Sequence, residues 1–389
     1  MTTLAPKSEA ELAEMVADAA GRGAPLEVTG GRTRQGLGRP VQAEATLSTR
    51  GISGISLYEP GALTLVVKAG TPVSEVEETL AAEGQMLPFE PMDHRAILRS
   101  EGEPTIGGMV ACAVSGPRRL KAGACRDSMI GVRLVDGEGT VIKNGGRVMK
   151  NVTGYDLVKL MAGSYGTLGV LTEIGFKVLP KPQAEITLKA TGLDDAKAVG
   201  AMAEALGSPF DVSGAAHIGA GASDAVTQIR IEGLTESVTY RSQELIDLLG
   251  ADWTAHEGTD SARAWEAIKN VTPLADREGA VWRVSVKPSD GPNLIAALRE
   301  KIDVDAVVYD WGGGLVWLAT PEEGDLGAVE LRVQTAALGG HATLIRASAV
   351  SRAAVDVFDP EPAPLQRISA GLRAKFDPKG ILNPGRMRA

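Results

Sequence analysis

The sequence predicts an α+β protein with two domains, and three observations lead to this prediction. The first 180 residues alternate short strand-like and helical segments around glycine-rich turns. The two prolines of Pro180-Lys181-Pro182 cannot lie inside a helix or a central strand, so they mark the domain boundary. Residues 181–364 alternate strands and helices in the order typical of an antiparallel sheet with helices on one face. Residues 365–389 are predicted to return to the first domain.

The first domain begins with a capping box, Ser8 and Glu11, which predicts an amphipathic helix to about Ala20. After it the sequence predicts strands at 25–29 and 63–69, a helix from Thr71-Pro72 to Glu83, a hairpin of 129–135 and 140–143, a helix at 154–162 and a strand at 170–178. In the second domain it predicts strands at 185–190, 215–219, 226–232, 280–287, 307–311, 315–319 and 341–348, and helices at 193–206, 235–249, 294–301 and 329–338. A final helix is predicted from about 365 to 375.

The composition excludes several classes of function. The 40 Lys and Arg residues against 49 Asp and Glu residues give a net charge of −9, which argues against the basic surface that a nucleic-acid backbone requires. No apolar run approaches the roughly 18 residues that cross a membrane, and the N-terminus lacks the basic start and apolar core of a signal peptide. We therefore expect a cytoplasmic protein with no transmembrane segment and no nucleic-acid partner.

Few side chains are available to bind a metal ion. Cys112 and Cys125 are too few and wrongly spaced for an iron–sulfur cluster or a zinc site, and we expect them to be buried thiols. The four histidines contain no His-x-His and no close pair: His94, His217, His256 and His341. No metal site is predicted, because a lone histidine is usually a hydrogen-bonded structural residue.

Glycine is unusually frequent, with 47 residues, and it clusters in a few segments. The first segment follows a predicted strand and offers backbone N–H groups, hydroxyls and cationic side chains to an anion such as a pyrophosphate. Its residues are Thr29, Gly30, Gly31, Arg32, Thr33 and Arg34. The segment matches neither the Rossmann glycine pattern nor the P-loop. Taken alone, it is also consistent with an ordinary surface turn.

A second segment is rich in small residues over about twenty positions. Its candidate ligand-binding residues are Pro104, Thr105, Ile106, Gly107, Gly108, Ser115, Gly116, Gly123, Arg126 and Asp127. A Cβ atom at Gly107, Gly108 or Gly116 would push the chain away from a flat ligand. A series of helix caps and turns is the alternative, but it does not explain why small residues recur so closely.

A third segment combines Gly154-Tyr155-Asp156-Leu157 with Gly166-Thr167-Leu168-Gly169-Val170. Much later, the C-terminal region contains Asp377-Pro378-Lys379-Gly380 and Asn383-Pro384-Gly385, which predict a series of turns. A helix cap followed by the start of a strand would explain the third segment without a ligand. The order of all the segments argues for a shared binding site instead.

In this order the segments resemble the vanillyl-alcohol-oxidase type of FAD-binding proteins (the PCMH-type FAD-binding fold). The resemblance covers nearly the whole chain and is most specific at residues 25–180 and 372–387. It implies a two-subdomain FAD-binding domain at residues 1–180 and a cap domain at residues 181–364. The first segment would then hold the FAD diphosphate, and the second would run beside the flavin.

The resemblance also assigns the remaining candidates. The strand backbone after the third segment would meet the adenine end of FAD, with Tyr155, Asp156, Gly166, Gly169 and Val170 as the candidate residues. The amide of Asn383 would reach the flavin edge. Family members that bind FAD covalently use a histidine or cysteine near these segments. The loop at residues 29–34 contains neither, so we expect noncovalent FAD, with Cys125 as the one residue that could make an exception.

Within this family the chain most resembles the FAD-binding subunits of glycolate oxidase (glycolate dehydrogenase) complexes. That resemblance implies a small 2-hydroxy acid as substrate and two partners, a D flavoprotein subunit and an iron–sulfur F subunit. It also implies peripheral association with the inner membrane through those partners. Related 2-hydroxy-acid dehydrogenases carry paired metal-binding histidines that this chain lacks. Two alternatives therefore stay open: a structural or electron-relay subunit without its own turnover, and a self-sufficient flavin-dependent alcohol oxidase.

The predicted cap domain contains four candidate catalytic residues, which are Arg283, Trp311, His341 and Arg346. If they face the flavin, an arginine could hold a carboxylate through two hydrogen bonds, and the histidine could exchange a proton. Packing within a sheet is the simpler explanation for the tryptophan.

Overall fold

The computed structural model describes residues 2–146, 155–221 and 224–388. Helices and antiparallel sheets are mixed along the chain, which confirms the predicted α+β class. The elements up to residue 180 are β1 (Thr2–Leu4), α1 (Glu9–Arg22), β2 (Leu26–Thr29), β3 (Ala45–Ser48), β4 (Ile55–Glu59), β5 (Thr64–Lys68), α2 (Val73–Ala82), β6 (Gln85–Met86), α3 (Arg95–Leu98), α4 (Ile106–Ala111), α5 (Arg119–Ala122), α6 (Cys125–Ser128), β7 (Met129–Val135), β8 (Val141–Gly145), α7 (Leu157–Met161), β9 (Val170–Lys177) and β10 (Leu179–Pro180).

The later elements are β11 (Ala184–Thr191), α8 (Asp195–Gly207), β12 (Val212–Ile218), β13 (Val226–Gly233), α9 (Thr235–Leu249), β14 (Thr254–Glu257), α10 (Gly258–Lys269), β15 (Ala280–Ser285), α11 (Gly291–Arg299), β16 (Ala306–Asp310), β17 (Leu315–Thr320), α12 (Ala328–Ala337), β18 (His341–Arg346), α13 (Ala349–Ala354) and α14 (Ala363–Phe376). No helix in the described ranges is both long enough and apolar enough to cross a membrane.

The N-terminal sheet is parallel, with the strand order β1-β3-β2, and it packs against α1. As predicted, the Ser8 hydroxyl caps α1 by accepting a hydrogen bond from the backbone N–H of Glu11 at 3.2 Å. Gly23 ends the helix in the left-handed conformation, with φ of 65°. The C-terminal region completes this core, because Leu382 forms a bridge with Leu26 of β2.

The second sheet is antiparallel, with the order β4-β5-β9-β7-β8, and it contains the predicted hairpin as β7 and β8. The helix predicted at 154–162 is observed as α7, and residue 154 lies outside the described residues. Thr71-Pro72 predicts a helix with Thr71 as its N-cap and Pro72 in its first turn, and this cap is wrong. The hydroxyl of Thr71 donates to the Lys68 carbonyl at 2.8 Å and accepts from the Gly54 N–H, so α2 begins after Pro72 without a side-chain cap.

The third sheet has eight strands in the order β14-β11-β13-β12-β16-β17-β15-β18, and all of them come from residues after 183. Helices α8, α9, α11 and α12 pack on one face of the sheet. The other face packs against the first half of the chain, since Trp317 and Ile345 share a core with Phe89 and Ile106. The sequence predicted seven of these strands but not β14, and it did not predict α10, in which only three of twelve residues are buried.

Polar contacts also join this sheet to the first half of the chain. Glu90 accepts hydrogen bonds at 2.8 and 2.9 Å from the guanidinium of Arg230 on β13, which is 1% exposed. The indole N–H of Trp311, in the turn between β16 and β17, donates to the Gly116 carbonyl at 3.1 Å. The sheet is therefore held over the first half of the chain by buried polar contacts as well as by the apolar core.

Candidate functional site

A cleft of about 740 Å³, counted with its opening to solvent, lies where four segments meet. These segments are the loop after β2, the helix α4, the turn before β9 and the C-terminal region. The cleft is lined by Val28, Thr29, Gly30, Gly31, Arg32, Thr33, Arg34, Gln35, Leu37, Thr49, Thr105, Gly107, Gly108, Ala111, Cys112, Tyr165, Gly166, Gly169, Leu171, Asn383 and Arg386.

The loop after β2 contributes all six residues of the first predicted segment to this cleft. Within the described residues, no backbone N–H from Gly31 to Gly36 donates a hydrogen bond. Consecutive N–H groups without a protein acceptor are a typical binding site for phosphate oxygens. Glycine is required at position 31 for another reason, because a Cβ there would overlap the carbonyl oxygen of Glu103.

Arg34 points into the protein beside this loop. Its Nη2 donates to the Met92 carbonyl at 3.0 Å, whereas its buried Nε has no hydrogen-bond partner in the described residues. Burial lowers the pKa of the guanidinium. Gly108 lies close by, and a Cβ at Gly108 would be 3.8 Å from Nη1 of Arg34 and 3.4 Å from the Thr105 hydroxyl, both ordinary contacts. Gly108 therefore lies next to a cation that has a free donor.

The C-terminal region closes the cleft from the side of β2. The Asn383 side chain accepts from the Val28 N–H at 2.8 Å and donates to the Tyr165 carbonyl at 2.7 Å. Its amide thus joins two walls of the cleft, whereas the sequence predicted a contact with the flavin edge. The buried guanidinium of Arg386 holds the loop after β2 in place by donating hydrogen bonds to the carbonyls of Gln35 and Leu37.

The second predicted segment is only partly in the cleft. Thr105, Gly107 and Gly108 line it. The other seven residues lie outside the cleft. Four of them accept hydrogen bonds within the protein: the Pro104 carbonyl from the Val73 N–H, the Ser115 hydroxyl from the Cys125 N–H, the Gly116 carbonyl from the Trp311 indole, and the Asp127 carboxylate from the Ala124 N–H. Ile106 is in the core, Gly123 has a positive φ after α5, and the Arg126 side chain is 57% exposed.

The third predicted segment is divided in the same way. Gly166 and Gly169 line the cleft, but Val170 is buried in the core beneath the parallel sheet. Asp156 caps α7 by accepting from the Lys159 N–H, and Tyr155 is 87% exposed. Neither of these two lines the cleft, so their contact with the adenine end stays a prediction.

These features match what FAD requires. The loop offers free backbone donors for a diphosphate, and the Arg34 Nε is a buried donor without an acceptor. Buried polar groups are rarely left unpaired in folded proteins. A bound ligand that carries acceptor atoms would satisfy them.

An aromatic and cationic cluster lies where α5 meets the eight-stranded sheet, and its members are not among the residues that line the cleft. The guanidinium carbon of Arg283 lies 5.6 Å from the ring centre of Trp311 and 6.0 Å from that of Trp317. The guanidinium of Arg119 lies 4.2 Å from the Trp311 ring. In the described part of the chain, neither guanidinium forms an ion pair or donates a hydrogen bond. Two cations without a carboxylate partner therefore lie beside one indole.

Titratable groups around Arg283 connect this cluster to the cleft. Tyr165 lines the cleft, and burial raises the pKa of its phenol while the charge of Arg283 opposes that rise. Partial burial and the charge of Arg283 lower the pKa of His341, so its imidazole is neutral at pH 7. Burial raises the pKa of Asp310 to about 7, although its carboxylate accepts a hydrogen bond from the Trp311 N–H at 2.7 Å.

Of the four candidate catalytic residues, Arg346 is placed differently from the other three. Its Nε donates to the Gly279 carbonyl at 3.2 Å, and its Nη1 donates to the carbonyls of Ala275 and Ile97. Its Nη2 donates to the Arg277 carbonyl. All three nitrogens are therefore bonded to backbone oxygens, and the side chain holds the end of β18 against the segment before β15 and against Ile97 of α3.

Several residues at the site had no sequence signal of their own. Tyr165 directly precedes Gly166 and Arg386 directly follows Gly385, but no pattern predicted a role for either residue. Arg119 and Cys112 lie between the residues selected in the second segment. The sequence singled out Cys125, but the structure buries that thiol in the core, where burial raises its pKa, and places Cys112 in the cleft. Among the residues that the structure describes, no three His, Cys, Asp or Glu side chains are grouped to hold a metal ion.

Comparisons with known proteins agree with this geometry. The family described as an FAD binding domain matches residues 2–145. Glycolate oxidase subunit GlcE of Escherichia coli (strain K12) is 37% identical over 380 residues, which cover 97% of each chain. Glycolate oxidase subunit GlcD of Bacillus subtilis (strain 168) is 26% identical over 428 residues, covering 99% of this chain and 88% of that protein.

A solved structure of alkyldihydroxyacetonephosphate synthase covers 98% of this chain and 76% of its own, with a TM-score of 0.66 and 16% identity. At that identity the likeness concerns the fold alone. The match to GlcE is 37% identical and covers nearly the full length of both chains, which shows the family. The chain therefore belongs to the family of FAD-binding oxidoreductases that includes the glycolate oxidase subunits, and its cofactor is FAD.

Proposed function

We propose that this chain is the FAD-binding subunit of a glycolate oxidase (glycolate dehydrogenase) complex that oxidises glycolate or another small 2-hydroxy acid. The observation that carries the proposal is the unpaired guanidinium of Arg283, which lies on the eight-stranded sheet and is close enough to the cleft residue Tyr165 to affect its pKa. The substrate class follows from the need of this cation for a carboxylate. The relatives GlcE and GlcD support the same class.

Oxidation of a 2-hydroxy acid to a 2-oxo acid removes two electrons and two protons, and bound FAD supplies a two-electron acceptor. Arg283 would fix the substrate carboxylate, with Trp311 and Trp317 limiting the orientation of the guanidinium. His341 would accept the hydroxyl proton, because its imidazole is neutral and its partly exposed ring can pass the proton to water. Arg346 would have a positioning role, since its nitrogens are bonded to carbonyls.

The partners in this proposal are a second flavoprotein subunit and an iron–sulfur subunit that receives the electrons, together with peripheral membrane association through those subunits. GlcE and GlcD are both described as subunits of glycolate oxidase, which supports a heteromeric assembly.

Asn383 would close the cleft, and the domain boundary at residues 180–182 would separate the FAD-binding half from the cap. Tyr155, Asp156 and the outer residues of the second segment would support FAD binding from outside the cleft.

A second candidate function is an electron-relay or structural subunit that holds FAD without oxidising the substrate. It is favoured by the absence, within the described residues, of a grouped set of metal-binding side chains like that expected from related dehydrogenases. In this function Arg283 would face no substrate. The third candidate function is a self-sufficient flavin-dependent alcohol oxidase. It requires that the isolated chain oxidise its substrate without partner subunits.

The test compares the isolated chain with the chain recombined with its partner subunits, using glycolate and a dye acceptor. We expect very slow dye reduction by the chain alone and restored turnover in the assembly. In the assembly, Arg283→Met should lower kcat/KM for glycolate by roughly 10- to 100-fold, the usual value of a charged hydrogen bond. Arg299→Met, on the outer face of the sheet domain, is the control and should change little.

Each outcome selects one function. Arg283→Met with unchanged turnover in the assembly would favour the relay subunit. Fast glycolate oxidation by the isolated chain would favour the self-sufficient oxidase. Bleaching of the flavin spectrum by glycolate in the isolated chain separates slow turnover from no substrate binding at all.

A further inference from the structure

Arg119 of α5 is a cation whose guanidinium has no anionic partner in the described residues. Its cationic neighbours along the chain do have one. Arg118 donates to the Glu232 carboxylate at 3.1 Å, and Lys121 forms an ion pair with Asp211. The function proposed above gives Arg119 no role, so its unpaired charge needs a separate explanation.

The Trp311 indole, on which Arg119 packs, is held in a fixed position between the two halves of the chain. Its ring N–H donates to the Gly116 carbonyl at 3.1 Å, and its backbone N–H donates to the Asp310 carboxylate at 2.7 Å. Its φ of 53° lies in the left-handed region, which is unfavourable for a bulky residue and persists only where surrounding contacts impose it. The ring is therefore a rigid surface for the groups beside it.

Two guanidinium groups approach this one ring from different halves of the chain. The guanidinium carbon of Arg119 lies 4.2 Å from the ring centre, and that of Arg283 on β15 lies 5.6 Å from it. Arg283 is paired in register with Trp317 and Thr343, so it lies on the sheet face that packs against the first half of the chain. Both arginines are partly exposed, whereas Trp311 is 8% exposed. The two cations therefore reach solvent beside the same buried ring.

The charges of the two arginines act on each other and on the same histidine. Burial lowers the pKa of the Arg283 guanidinium, and the charge of Arg119 lowers it further. Burial also lowers the pKa of His341, and the charges of both arginines act in the same direction. Asp310 offsets little of this charge, because burial raises its pKa to about 7. An anion bound between the arginines would relieve their repulsion.

A small organic carboxylate has the chemistry that this arrangement recognises. A guanidinium can donate to both carboxylate oxygens at once, and an indole ring packs against carbon atoms. His341 lies opposite Ser285, which is two residues from Arg283, so His341 and Arg283 belong to the same face of the sheet. A 2-hydroxy acid held by the arginines would therefore place its hydroxyl group on the face that carries His341.

We propose that Arg119 binds the substrate carboxylate together with Arg283, so that the anion lies beside the Trp311 ring, between the two halves of the chain. This inference rests on the proposed function, in which Arg283 alone fixes the carboxylate. It adds a specificity-determining residue from the FAD-binding half. The carboxylate site is then complete only when the two halves are packed together, and a bound carboxylate should stabilise the packed form.

The test measures binding without turnover, with acetate and its neutral amide, acetamide, as probes. Neither probe has a hydroxyl group that the flavin could oxidise. Each is titrated into the flavin-loaded chain, and the heat of binding and the rise in the thermal unfolding midpoint are recorded. The wild type should bind acetate and discriminate against acetamide. Arg119→Met should weaken acetate binding roughly 10- to 100-fold, and Arg119→Lys, which keeps the charge, should lose less.

Lys121→Met is the matched control, because it removes a positive charge from the same helix at a side chain that is 47% exposed and already paired. It should bind acetate as the wild type does. If Arg119→Met fails to fold by circular dichroism, Arg119→Gln replaces it and should show the same loss.

The outcomes separate this inference from the proposed function. Unchanged acetate affinity in a folded Arg119→Met or Arg119→Gln variant, with weaker binding in Arg283→Met, overturns the role of Arg119 and leaves the proposed function standing. Absence of acetate binding by the wild type overturns the carboxylate role of both arginines. Weaker binding in Arg119→Met supports the anion site even if the assembled complex fails to oxidise glycolate, a result that would refute the proposed function alone.

Discussion

Gly108 shows how one missing side chain shapes the cleft. A Cβ at this position would be 3.4 Å from the Thr105 hydroxyl, an ordinary contact, so small substitutions fit without a ligand. Gly31 differs, since any side chain there would collide with the backbone of Glu103. A substitution at Gly31 would disturb the loop whether or not FAD binds, and only Gly108 tests the ligand.

Gly108→Asp is expected to weaken FAD binding without unfolding the protein. The new carboxylate would lie beside the guanidinium of Arg34, 3.8 Å from Nη1 at its Cβ, and would compete with the ligand for that cation. Loss of one charge-assisted hydrogen bond costs roughly 1.5 to 3 kcal/mol, which is about 10- to 100-fold in affinity before any steric effect of the side chain. The measurement is flavin content after purification, together with circular dichroism. Gly61→Asp, where a side chain would meet nothing within 4 Å, is the matched control. Normal flavin content in Gly108→Asp would place FAD elsewhere.

Asp310 predicts an unusual pH dependence of stability. Burial raises its pKa from 3.8 to about 7, so the folded state favours the protonated carboxyl. Stability from this group is complete below pH 3.8 and is lost as the pH rises to about 7, by up to roughly 4 kcal/mol. Asp310→Asn keeps an acceptor for the Trp311 N–H. It should raise the unfolding midpoint at pH 8 and have little effect at pH 4. Equal midpoints at pH 8 would show that the carboxyl ionises without cost.

At the level of single residues, the sequence predicted the first loop better than the cluster around Arg283. All six loop residues line the cleft, because a short contiguous turn brings its own residues together. Arg119, Tyr165 and Arg283 lie far apart in sequence and meet only after the sheets pack. No local pattern could show that they converge.

At the level of elements, the regular segments were predictable and the irregular ones were not. The helix predicted at 235–249 is α9 with the same bounds, because its apolar residues repeat with helical spacing. Helix α10 was missed, since it begins with Gly258-Thr259-Asp260-Ser261 and buries few residues. The order of the eight strands depends on long-range pairing, which a single sequence does not encode locally.

The pair formed by Glu90 and Arg230 links the segment after β6 to strand β13, and it should stabilise the contact between the two halves. Burial alone would raise the pKa of Glu90, but the charge and hydrogen bonds of Arg230 lower it to about 2. This contribution, roughly 3 kcal/mol, is present above pH 4.5 and is lost as the pH falls from 4.5 to about 2.

Glu90→Gln is expected to cost about 3 kcal/mol at pH 7, because it removes the carboxylate bonded to both terminal nitrogens of the buried Arg230. The carboxylates of Glu232 and Glu185, at 3.5 and 4.0 Å, remain as its counter-charges. Chemical denaturation at pH 7 and pH 3 provides the measurement, and the variant should lose less stability between these pH values than the wild type does. Glu236→Gln on the exposed surface of α9 is the control. A variant as stable as the wild type at pH 7 would show that water replaces this ion pair.

At the level of the whole molecule, the position of the Cys112 thiol bears on whether FAD is attached covalently or noncovalently. Cys112 lines the cleft, but burial raises the pKa of its thiol, which keeps it protonated and a weak nucleophile. We expect the purified protein to be yellow and to release unmodified FAD on acid or heat treatment. Flavin that stays with the precipitated polypeptide would contradict noncovalent binding, and its loss in Cys112→Ala would then identify the attachment site.

The bonds of Asn383 also have a consequence for biosynthesis. Its amide joins Val28 to Tyr165, and 355 positions separate it from Val28. Ribosomes add roughly 5 to 20 residues per second, so the loop after β2 is made about 20 to 70 seconds before the residue that closes the cleft beside it. A nascent chain thus exposes an open, incomplete cleft for most of its translation. We therefore expect FAD to be held firmly only after the C-terminal residues have been made.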